Sequence, residues 1–330
     1  MNRAISDHFN WQDKKVLVTG ASGFVGSYLV EKLLSFDARV TALVQDISPS
    51  SRFFREKMVE KVQLVQGNLE EFSLLERAIC RHEIEIVFHL GAQTLVNTAL
   101  QFPFDTLESN IRGTYNLLEI ARRHRNVVQR IVLASSDKAY GHSYDLPYTE
   151  EMFPHGSHPY DVSKACGDLI AKSYYQTYGL PLVIGRCANL YGGGDLHWSR
   201  IIPGTIRSIL EERPIEVRSD GSLIREYLYV EEAVDSYLKM GERCLEKGVE
   251  GEIFNFGPAH PYTVLQVIGE IKSLMHREDA EVKLLNKAAH EIKKQFLDSS
   301  KAKERLGWRS NVSLEEGLKK TIDWYRRAIR

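Results

Sequence analysis

The fold of this 330-residue chain is decided by the stretch Lys15-Val-Leu-Val-Thr19-Gly20-Ala-Ser22-Gly23-Phe24-Val25-Gly26. Its first five residues are an apolar, β-branched run typical of a buried strand, and apolar side chains at helical spacing follow from Tyr28 to Leu33. Glycines between a strand and a helix let the backbone pass close to a pyrophosphate, and the helix N-terminus offers free N–H groups to it. A glycine triplet alone is a weak signal, but in this setting it predicts a dinucleotide-binding turn. The residues that we expect to contact the cofactor there are Gly20, Ser22, Gly23, Phe24, Val25 and Gly26.

The alternation of strand and helix continues along the chain. Short β-branched runs predict strands at residues 39–44, 62–66, 86–90, 130–134 and 182–186. Helical patterns cover residues 74–81, 106–124 and 160–178, and a capping box of Ser73 and Glu76 is expected to open the first of them. Strands that alternate with helices predict an α/β fold with a Rossmann-type, doubly wound parallel sheet.

Composition excludes several classes of function. A formal net charge of −1 gives no electrostatic basis for binding nucleic acid or an anionic membrane. No apolar run approaches the ~20 residues that span a bilayer, and residues 1–14 lack the apolar core of a signal peptide. Cys80, Cys166, Cys187 and Cys244 are scattered without metal-ligand spacing. We therefore expect no bound metal, and free thiols in a reducing cytoplasm.

The end of the second predicted strand bears on the choice of cofactor. An acidic residue there favours the free 2′-hydroxyl of NAD, whereas an arginine favours the 2′-phosphate of NADP. Asp46 lies twenty residues after Gly26, which fits the NAD pattern. Arg52 and Arg55 are near enough to keep NADP as the alternative. The sequence favours NAD.

The stretch Ile131-Val-Leu-Ala-Ser-Ser-Asp-Lys-Ala-Tyr-Gly141 changes abruptly from apolar to polar. A parallel strand that ends in Ser136, Asp137 and Lys138 delivers a hydroxyl, a carboxylate and an amine to the carboxyl edge of the sheet, where ligands bind in open α/β folds. The alternative is that these side chains merely cap the next turn.

Tyr160-Asp-Val-Ser-Lys164 adds a second group of polar residues on a predicted helix. A base must take the proton of an alcohol as its carbonyl forms. Free tyrosine has a pKa near ~10, which must be depressed for this task. Lys164 lies one helical turn from Tyr160, so its ammonium and the charge of an oxidised nicotinamide would favour the phenolate, while Ser136 would hydrogen-bond the same substrate oxygen. A bare Tyr-x-x-x-Lys pair is otherwise a solvated helix pair.

With the glycine turn and the Tyr160–Lys164 motif together, the chain resembles the extended short-chain dehydrogenases/reductases that act on nucleotide sugars. Other stretches that carry the resemblance are Gly67-Asn68-Leu69, Phe88-His-Leu90-Gly-Ala92, Asn110-Ile-Arg-Gly-Thr-Tyr-Asn-Leu-Leu-Glu119, Arg186-Cys-Ala-Asn189-Leu-Tyr-Gly192 and Arg225-Glu-Tyr-Leu-Tyr-Val230. The resemblance implies cofactor contacts at Asn68, Leu69, Leu90, Ala92, Asn110, Tyr160 and Lys164. It implies that segments 186–192 and 225–230 hold the diphosphate of the substrate, with Asn189 and Arg225 as binding residues. It also implies a homodimer through helices 106–124 and 160–178.

Family members of this kind have a dinucleotide-binding domain and a smaller C-terminal substrate domain. By resemblance we place the first domain at residues 1–188 and the second at residues 189–330, with part of 226–258 returning to the first.

Asp137 and Lys138 favour one reaction within this family. A 4-epimerase moves hydride off one face of C4 and onto the other, whereas a 4,6-dehydratase also needs a base at C5 and an acid at the C6 hydroxyl. The Ser-Asp-Lys sequence is similar to that of CDP-glucose 4,6-dehydratases and, more distantly, of inverting UDP-N-acetylglucosamine dehydratases. By that resemblance Asp137 would protonate the leaving hydroxyl and Lys138 would deprotonate C5, so both would start neutral. The alternative is a surface Asp–Lys ion pair.

The loop Gly192-Gly-Gly-Asp-Leu-His-Trp-Ser-Arg200-Ile-Ile-Pro203 also resembles CDP-glucose dehydratases, and a phosphate contact is expected from Arg200. Arg218 and Arg225 are further candidates, because a planar guanidinium suits a diphosphate. Those dehydratases usually read Arg-Pro-Trp-Gln-His where this chain has Arg225-Glu-Tyr-Leu-Tyr229, which leaves the base and the sugar open.

The sequence therefore predicts an NAD-dependent nucleotide-sugar 4,6-dehydratase that returns the hydride to C6 of the same sugar, with CDP-glucose as the favoured type of substrate. The alternatives are a 4-epimerase of the same fold and a nucleotide-sensing scaffold without turnover. The intact set of Ser136, Tyr160 and Lys164 argues against a scaffold.

Overall fold

The structure is a computed structural model that describes residues 9–287 and 292–329. The strands are β1 (Lys15–Thr19), β2 (Arg39–Val44), β3 (Gln63–Gln66), β4 (Ile86–His89), β5 (Arg130–Ser136), β6 (Leu182–Cys187), β7 (Asn189–Tyr191), β8 (Ile215–Val217), β9 (Ile224–Arg225), β10 (Tyr227–Tyr229), β11 (Ile253–Phe256), β12 (Tyr262–Thr263), β13 (Val282–Leu284) and β14 (Lys294–Gln295). The α-helices are α1 (Phe24–Ser35), α2 (Arg52–Arg55), α3 (Phe72–Arg81), α4 (Val96–Gln101), α5 (Pro103–Leu107), α6 (Gly113–Arg123), α7 (Pro159–Tyr178), α8 (Ile201–Leu210), α9 (Val230–Arg243), α10 (Val264–Met275), α11 (Ser300–Leu306) and α12 (Leu314–Ala328).

The central sheet has seven parallel strands in the order β11-β6-β5-β4-β1-β2-β3. Its middle strands are apolar along their length because helices cover both faces, and a separate hydrophobic cluster fills each side. The order of the first six strands is that of a doubly wound Rossmann-type sheet, so the predicted fold class is confirmed. The order reverses between β1 and β4, and the carboxyl ends of β1, β4 and β5 therefore open onto one crevice.

Two of the predicted helices have different bounds. Helix α3 begins at Phe72 with Glu71 as its N-cap residue and no side-chain cap, so the predicted capping box of Ser73 and Glu76 is wrong. Ser73 therefore lies inside the helix. Glu76 accepts a hydrogen bond from His124 Nε2 at 3.0 Å instead of pairing with the helix terminus.

The helix expected at residues 106–124 is interrupted. Helix α5 begins at Pro103, which suits the first helical turn, and a π-helical turn at Glu108–Arg112 separates it from α6. Such turns are frequent at functional sites, and this one contains Asn110.

The C-terminal part has short pairs and a small sheet. Strands β7 and β10 pair in parallel, as do β8 and β13, and β12, β9 and β14 form a three-stranded sheet. Helices α8, α10 and α12 enclose a third hydrophobic cluster. Helix α9 packs on α1 and the central sheet. Within residues 9–287 and 292–329, no helix combines the length and the apolar character needed to cross a bilayer.

Candidate active site

The turn after β1 depends on two glycines. Gly20 has φ of +67°, and a Cβ there would lie 2.8 Å from Gly91 Cα. A Cβ on Gly26 would lie 2.1 Å from the carbonyl oxygen of Gly20, which is backbone and cannot rotate away. The N-cap residue of α1, Gly23, has no side chain to accept from the first-turn N–H groups. Those groups are therefore available to an anion, and the close approach of backbone to backbone makes a cradle that only glycine permits.

Arg52 and Arg55, which left NADP as the alternative cofactor, contact other residues of the chain. Arg52 is buried, and its Nη2 lies 2.7 Å from Glu31 Oε2 and 2.9 Å from Glu56 Oε2. Arg55 donates to the carbonyl oxygen of Ala328 at 3.4 Å. Asp46 is exposed just beyond the end of β2. This arrangement favours the 2′-hydroxyl of NAD over the phosphate of NADP.

The turn at residues 67–70 packs against the loop after β4 and against α6. Leu69 is buried, and Asn116 Nδ2 donates to its carbonyl oxygen at 3.1 Å, which fixes the turn against α6. Asn68 is exposed and hydrogen-bonds Glu71 Oε1 at 3.1 Å. These contacts leave Asn68 at the rim and Leu69 in the wall.

The loop after β4 contains Leu90 and Ala92, both half-buried. Asn110 clamps this loop: its Oδ1 accepts from Gln93 N at 2.8 Å, and its Nδ2 donates to Gln93 O and to Ser163 Oγ, each at 2.9 Å. Asn110 thereby holds the loop after β4 against α7.

Ser136, Tyr160 and Lys164 meet at the carboxyl end of β5. A hydrogen bond joins the side chains of Ser136 and Tyr160. Lys164 Nζ donates to the carbonyl oxygen of Ala134 at 3.0 Å. Burial lowers the pKa of Lys164 to about 8.

The depression of the Tyr160 pKa is expected from Lys164 together with the charge of an oxidised nicotinamide, so it stays a prediction for the protein with NAD bound. In the chain alone, burial raises this pKa to about 12, and the groups that oppose the rise are Ser136, through its hydrogen bond, and the charge of Arg200. Desolvation of the phenolate therefore outweighs the nearby positive charge. The sequence spacing located Lys164 but could not show how deeply the ring is buried.

Asp137 and Lys138 lie beside this group, in a 3₁₀ turn that Ser136 caps. Asp137 is 2% exposed, so the pair is not a surface ion pair. Ser136 Oγ donates to Asp137 Oδ1 at 3.1 Å, and Lys138 Nζ lies 3.7 Å from the same oxygen. A carboxyl group, an amine, a hydroxyl and a phenol thus converge at one edge of the sheet.

Two residues that sequence reasoning did not select complete the surroundings of the pair. Gln295 Oε1 accepts from Lys138 Nζ, and its Nε2 donates to Asp137 O at 3.2 Å. Glu226 is fully buried, and burial raises its pKa to about 7, with the charge of Asp137 adding to the rise. Gln295 carries no local signal, whereas Glu226 follows Arg225 in a stretch that was already of interest.

The candidate substrate residues have different surroundings. Arg200 Nη1 lies 2.9 Å from Asp195 Oδ2, its Nη2 donates to Thr94 Oγ1 at 3.2 Å, and its charge reaches Tyr160. Asn189 Nδ2 donates to the carbonyl oxygen of Glu226 at 3.2 Å. Arg200 therefore lies near Tyr160, and Asn189 lies beside Glu226.

The remaining arginines of the candidate substrate segments differ in burial and in their contacts. Arg225 is buried and donates to Ile224 O at 2.8 Å and to Lys293 O at 3.4 Å. Arg218 is exposed just after β8. Arg186 is 1% exposed, and its Nε lies 2.8 Å from Asp168 Oδ2. Burial against Asp168 makes Arg186 a structural residue of the segment at residues 186–192.

Residues 17–321 match the family described as GDP-mannose 4,6 dehydratase, and the chain belongs to that family. The resemblance to nucleotide-sugar enzymes is thereby confirmed. The chain is 30% identical over 345 residues to a dTDP-glucose 4,6-dehydratase from Haemophilus influenzae, covering 94% of this chain and 97% of that protein. It is also 30% identical to a CDP-glucose 4,6-dehydratase from Salmonella typhimurium, covering 97% of this chain and 92% of that one. It spans about half (48%) of an Arabidopsis thaliana trifunctional protein whose first named activity is UDP-glucose 4,6-dehydratase.

Solved structures with the same fold include a dehydratase and an epimerase. A dTDP-glucose 4,6-dehydratase from Streptomyces venezuelae, with NAD bound, has a TM-score of 0.85 and 27% identity, over 94% of this chain and 97% of that one. A UDP-glucose 4-epimerase from Thermotoga maritima has a TM-score of 0.86 and 30% identity, over 96% of this chain and 99% of that one. The shared fold thus hosts both reactions.

Proposed function

We propose that this chain is an NAD-dependent nucleotide-sugar 4,6-dehydratase that converts its substrate to a 4-keto-6-deoxy sugar. The observation that carries the proposal is the buried pair of Asp137 and Lys138 beside Ser136 and Tyr160. Oxidation at C4 needs only a base and a hydrogen-bond donor, whereas loss of water across C5 and C6 needs a further base and acid. The pair supplies both, and the family and the dehydratase relatives support this assignment.

The residues of the glycine turn fit a dinucleotide. The cradle at Gly20 and Gly26 admits no Cβ, and the N-terminus of α1 would meet the pyrophosphate. Leu69, Leu90 and Ala92 would line the remaining wall. The chemistry that bound NAD supplies is hydride removal at C4 and hydride return at C6.

The residues of the chain handle the protons. Tyr160 takes the proton of the C4 hydroxyl, and Ser136 hydrogen-bonds the developing carbonyl oxygen. The C4 ketone acidifies C5, so Lys138 as a neutral amine removes the C5 proton. Asp137 as a neutral acid gives its proton to the C6 hydroxyl, which leaves as water. The proton that Lys138 holds returns to C5 as C6 gains the hydride. The proton that Tyr160 took from the C4 hydroxyl passes to Asp137 through Ser136, which hydrogen-bonds both side chains, so all three groups are restored.

Among substrates we favour a CDP-glucose-like nucleotide sugar. The Salmonella typhimurium relative and the loop at residues 192–203 support this choice. Asn189 and Arg200 would contact the substrate, with Arg225 and Arg218 toward the diphosphate.

A 4-epimerase is the second candidate, because the Thermotoga maritima epimerase shares the fold at 30% identity. An epimerase would use Ser136, Tyr160 and Lys164 and would leave Asp137 and Lys138 without a chemical role. An epimer keeps the mass of its substrate, whereas a dehydrated sugar has lost one water.

The test is mass spectrometry of products after incubation with NAD and a panel of CDP-, GDP-, UDP- and dTDP-sugars. We expect one or more of these sugars to lose the mass of water and to give a product that absorbs in alkali. A product of unchanged mass with inverted C4 would establish the epimerase instead. Binding without any product would support the scaffold.

We also propose that the protein is a homodimer and that the domain division lies near residue 188. Exposed apolar side chains on α4–α7 and the adjoining residue support the dimer, and they are Leu100, Phe102, Phe104, Tyr115 and Leu169. The four cysteines are free thiols, in keeping with the expected cytoplasmic location.

A further inference from the structure

Gln295 connects the C-terminal part of the chain to the acid–base pair. Its side chain is fully buried, and both of its polar ends are used. The amide Nε2 donates to the carbonyl oxygen of Asp137 at 3.2 Å, and the amide Oε1 accepts from Lys138 Nζ. A carbonyl oxygen and an amine are an acceptor and a donor, so this network fixes which way the amide faces.

The backbone that carries Gln295 is itself held on both sides. Gln295 lies in β14 and is the register partner of Arg225 in β9. Two residues further, Leu297 N donates to Glu226 Oε2 at 2.9 Å, and Tyr148 N donates to Phe296 O at 2.9 Å. A side chain on a strand held in this way positions its partners more exactly than one on a loop.

The chemical type of this residue suits a base that must start neutral. An amide oxygen is an uncharged acceptor, so it orients the amine of Lys138 whether that amine is protonated or not. A carboxylate in the same place would stabilise the ammonium form. Glutamine therefore gives orientation without favouring the inactive form of the base.

We propose that Gln295 is a positioning residue for the dehydration step, holding Lys138 and the backbone of Asp137 in the geometry needed at C5 and C6. The proposal rests on the proposed dehydratase function. Because Gln295 is paired with Arg225, it also ties the geometry of the acid–base pair to the strand that would bind the diphosphate.

The test compares Gln295→Met, which is near in size but makes neither hydrogen bond, with Gln295→Glu, which adds a carboxylate. For Gln295→Met we expect water loss to slow by about tenfold or more, because the variant loses the hydrogen bonds that hold Lys138 and the backbone of Asp137. The rate at which substrate reduces bound NAD and the KM should both stay within about twofold of wild type. Neither hydride transfer at C4 nor substrate binding uses Asp137 or Lys138 in the proposed mechanism. For Gln295→Glu we expect the rate of water loss to rise only at higher pH than in wild type.

Lys294→Gln is the matched control, because Lys294 is exposed on the same strand and the change in charge equals that of Gln295→Glu. It should keep the wild-type rate and pH profile. Thermal unfolding and NAD binding check that each variant is folded, and Gln295→Asn replaces Gln295→Met if the latter does not fold.

Wild-type rates and pH profiles in the Gln295 variants would overturn the inference while leaving the dehydratase intact. A slower reduction of NAD in parallel with slower water loss would also overturn it, because a general structural defect would then explain both. Failure of the dehydratase proposal looks different: the wild-type protein itself would release no water from any sugar of the panel.

Discussion

Two further buried carboxyl groups, those of Glu226 and Asp161, lie close to Asp137. Burial raises the pKa of Glu226 to about 7 and also raises the pKa of Asp161, and in both cases the negative charge of Asp137 adds to the rise. Carboxylates crowded in a poorly hydrated site cannot all ionise together. Glu226 therefore holds its proton to a higher pH than a free glutamate does.

Glu226 should make stability fall with rising pH. Its folded pKa of about 7 lies above the ordinary 4.5, so the folded state binds the extra proton between these values, and stability is lost as pH rises through that window. Glu226→Gln should match wild type near pH ~5 and exceed it near pH ~8, by at most about 3 kcal/mol in the free energy of unfolding. Urea unfolding at both values of pH measures the difference.

The control for that comparison is Glu304→Gln on the exposed surface of α11, which removes one charge without relieving burial. It should shift stability little at either pH. A Glu226→Gln gain of equal size at both values of pH would contradict the account, because the gain would then be independent of ionisation.

At the scale of elements, local patterns predicted the parts of the fold that depend on neighbours in sequence. The strand, the glycine turn and α1 follow from residues 15–33, and the change from apolar to polar residues predicted that Ser136 and Asp137 lie at the carboxyl end of β5. The capping box failed because α3 begins at Phe72, one residue before Ser73, and Glu76 binds His124, 48 residues away. Gln295 could not be found in this way, since its contact with Lys138 spans 157 residues.

Gly26→Ala tests the turn between β1 and α1. The added methyl group would lie 2.1 Å from Gly20 O, so the backbone must move. We expect a loss of about 1–3 kcal/mol in the free energy of unfolding, typical of overpacking, and NAD binding weakened by about tenfold or more. Thermal unfolding and titration with NAD measure the two effects.

Gly269→Ala is the matched control, because an added Cβ there meets nothing within 4 Å and the residue lies inside helix α10. It should stabilise the protein by up to about 1 kcal/mol through helix propensity and leave NAD affinity unchanged. Equal NAD affinity in Gly26→Ala and wild type would contradict the role of the turn.

The whole molecule is organised around one edge of the central sheet. The C-terminal segment at residues 294–298 closes over that edge, where Asp298 N donates to Tyr148 O at 2.9 Å and Gln295 reaches Lys138. Burial of Tyr160 and Asp137 is a property of this assembled arrangement. The raised pKa of Tyr160 could not be read from sequence spacing for that reason.

The proposed dimer gives a prediction at the same scale. Phe104 and Leu169 are 72% and 44% exposed on α5 and α7. Wild-type protein should have a solution mass near twice 37.7 kDa, and the double variant Phe104→Asp, Leu169→Glu should have half of it, because buried charges oppose association. Chromatography with light scattering measures the mass.

Phe153→Asp is the control, because Phe153 is 74% exposed and lies outside these helices, and this variant should stay dimeric. A monomeric Phe153→Asp protein, or a dimeric double variant, would contradict the proposed interface.

The central claim is that Asp137 and Lys138 remove water from a sugar that Ser136 and Tyr160 have helped to oxidise. The most direct measurement is a single-turnover reaction of Asp137→Asn and Lys138→Met with the accepted nucleotide sugar, following the absorbance of reduced nicotinamide and the mass of the product together. Both variants should still oxidise the sugar at its C4 and reduce NAD. They should form at least ~100-fold less dehydrated product than wild type, as loss of a general acid or base predicts. Dehydrated product at the wild-type rate from either variant would contradict the claim.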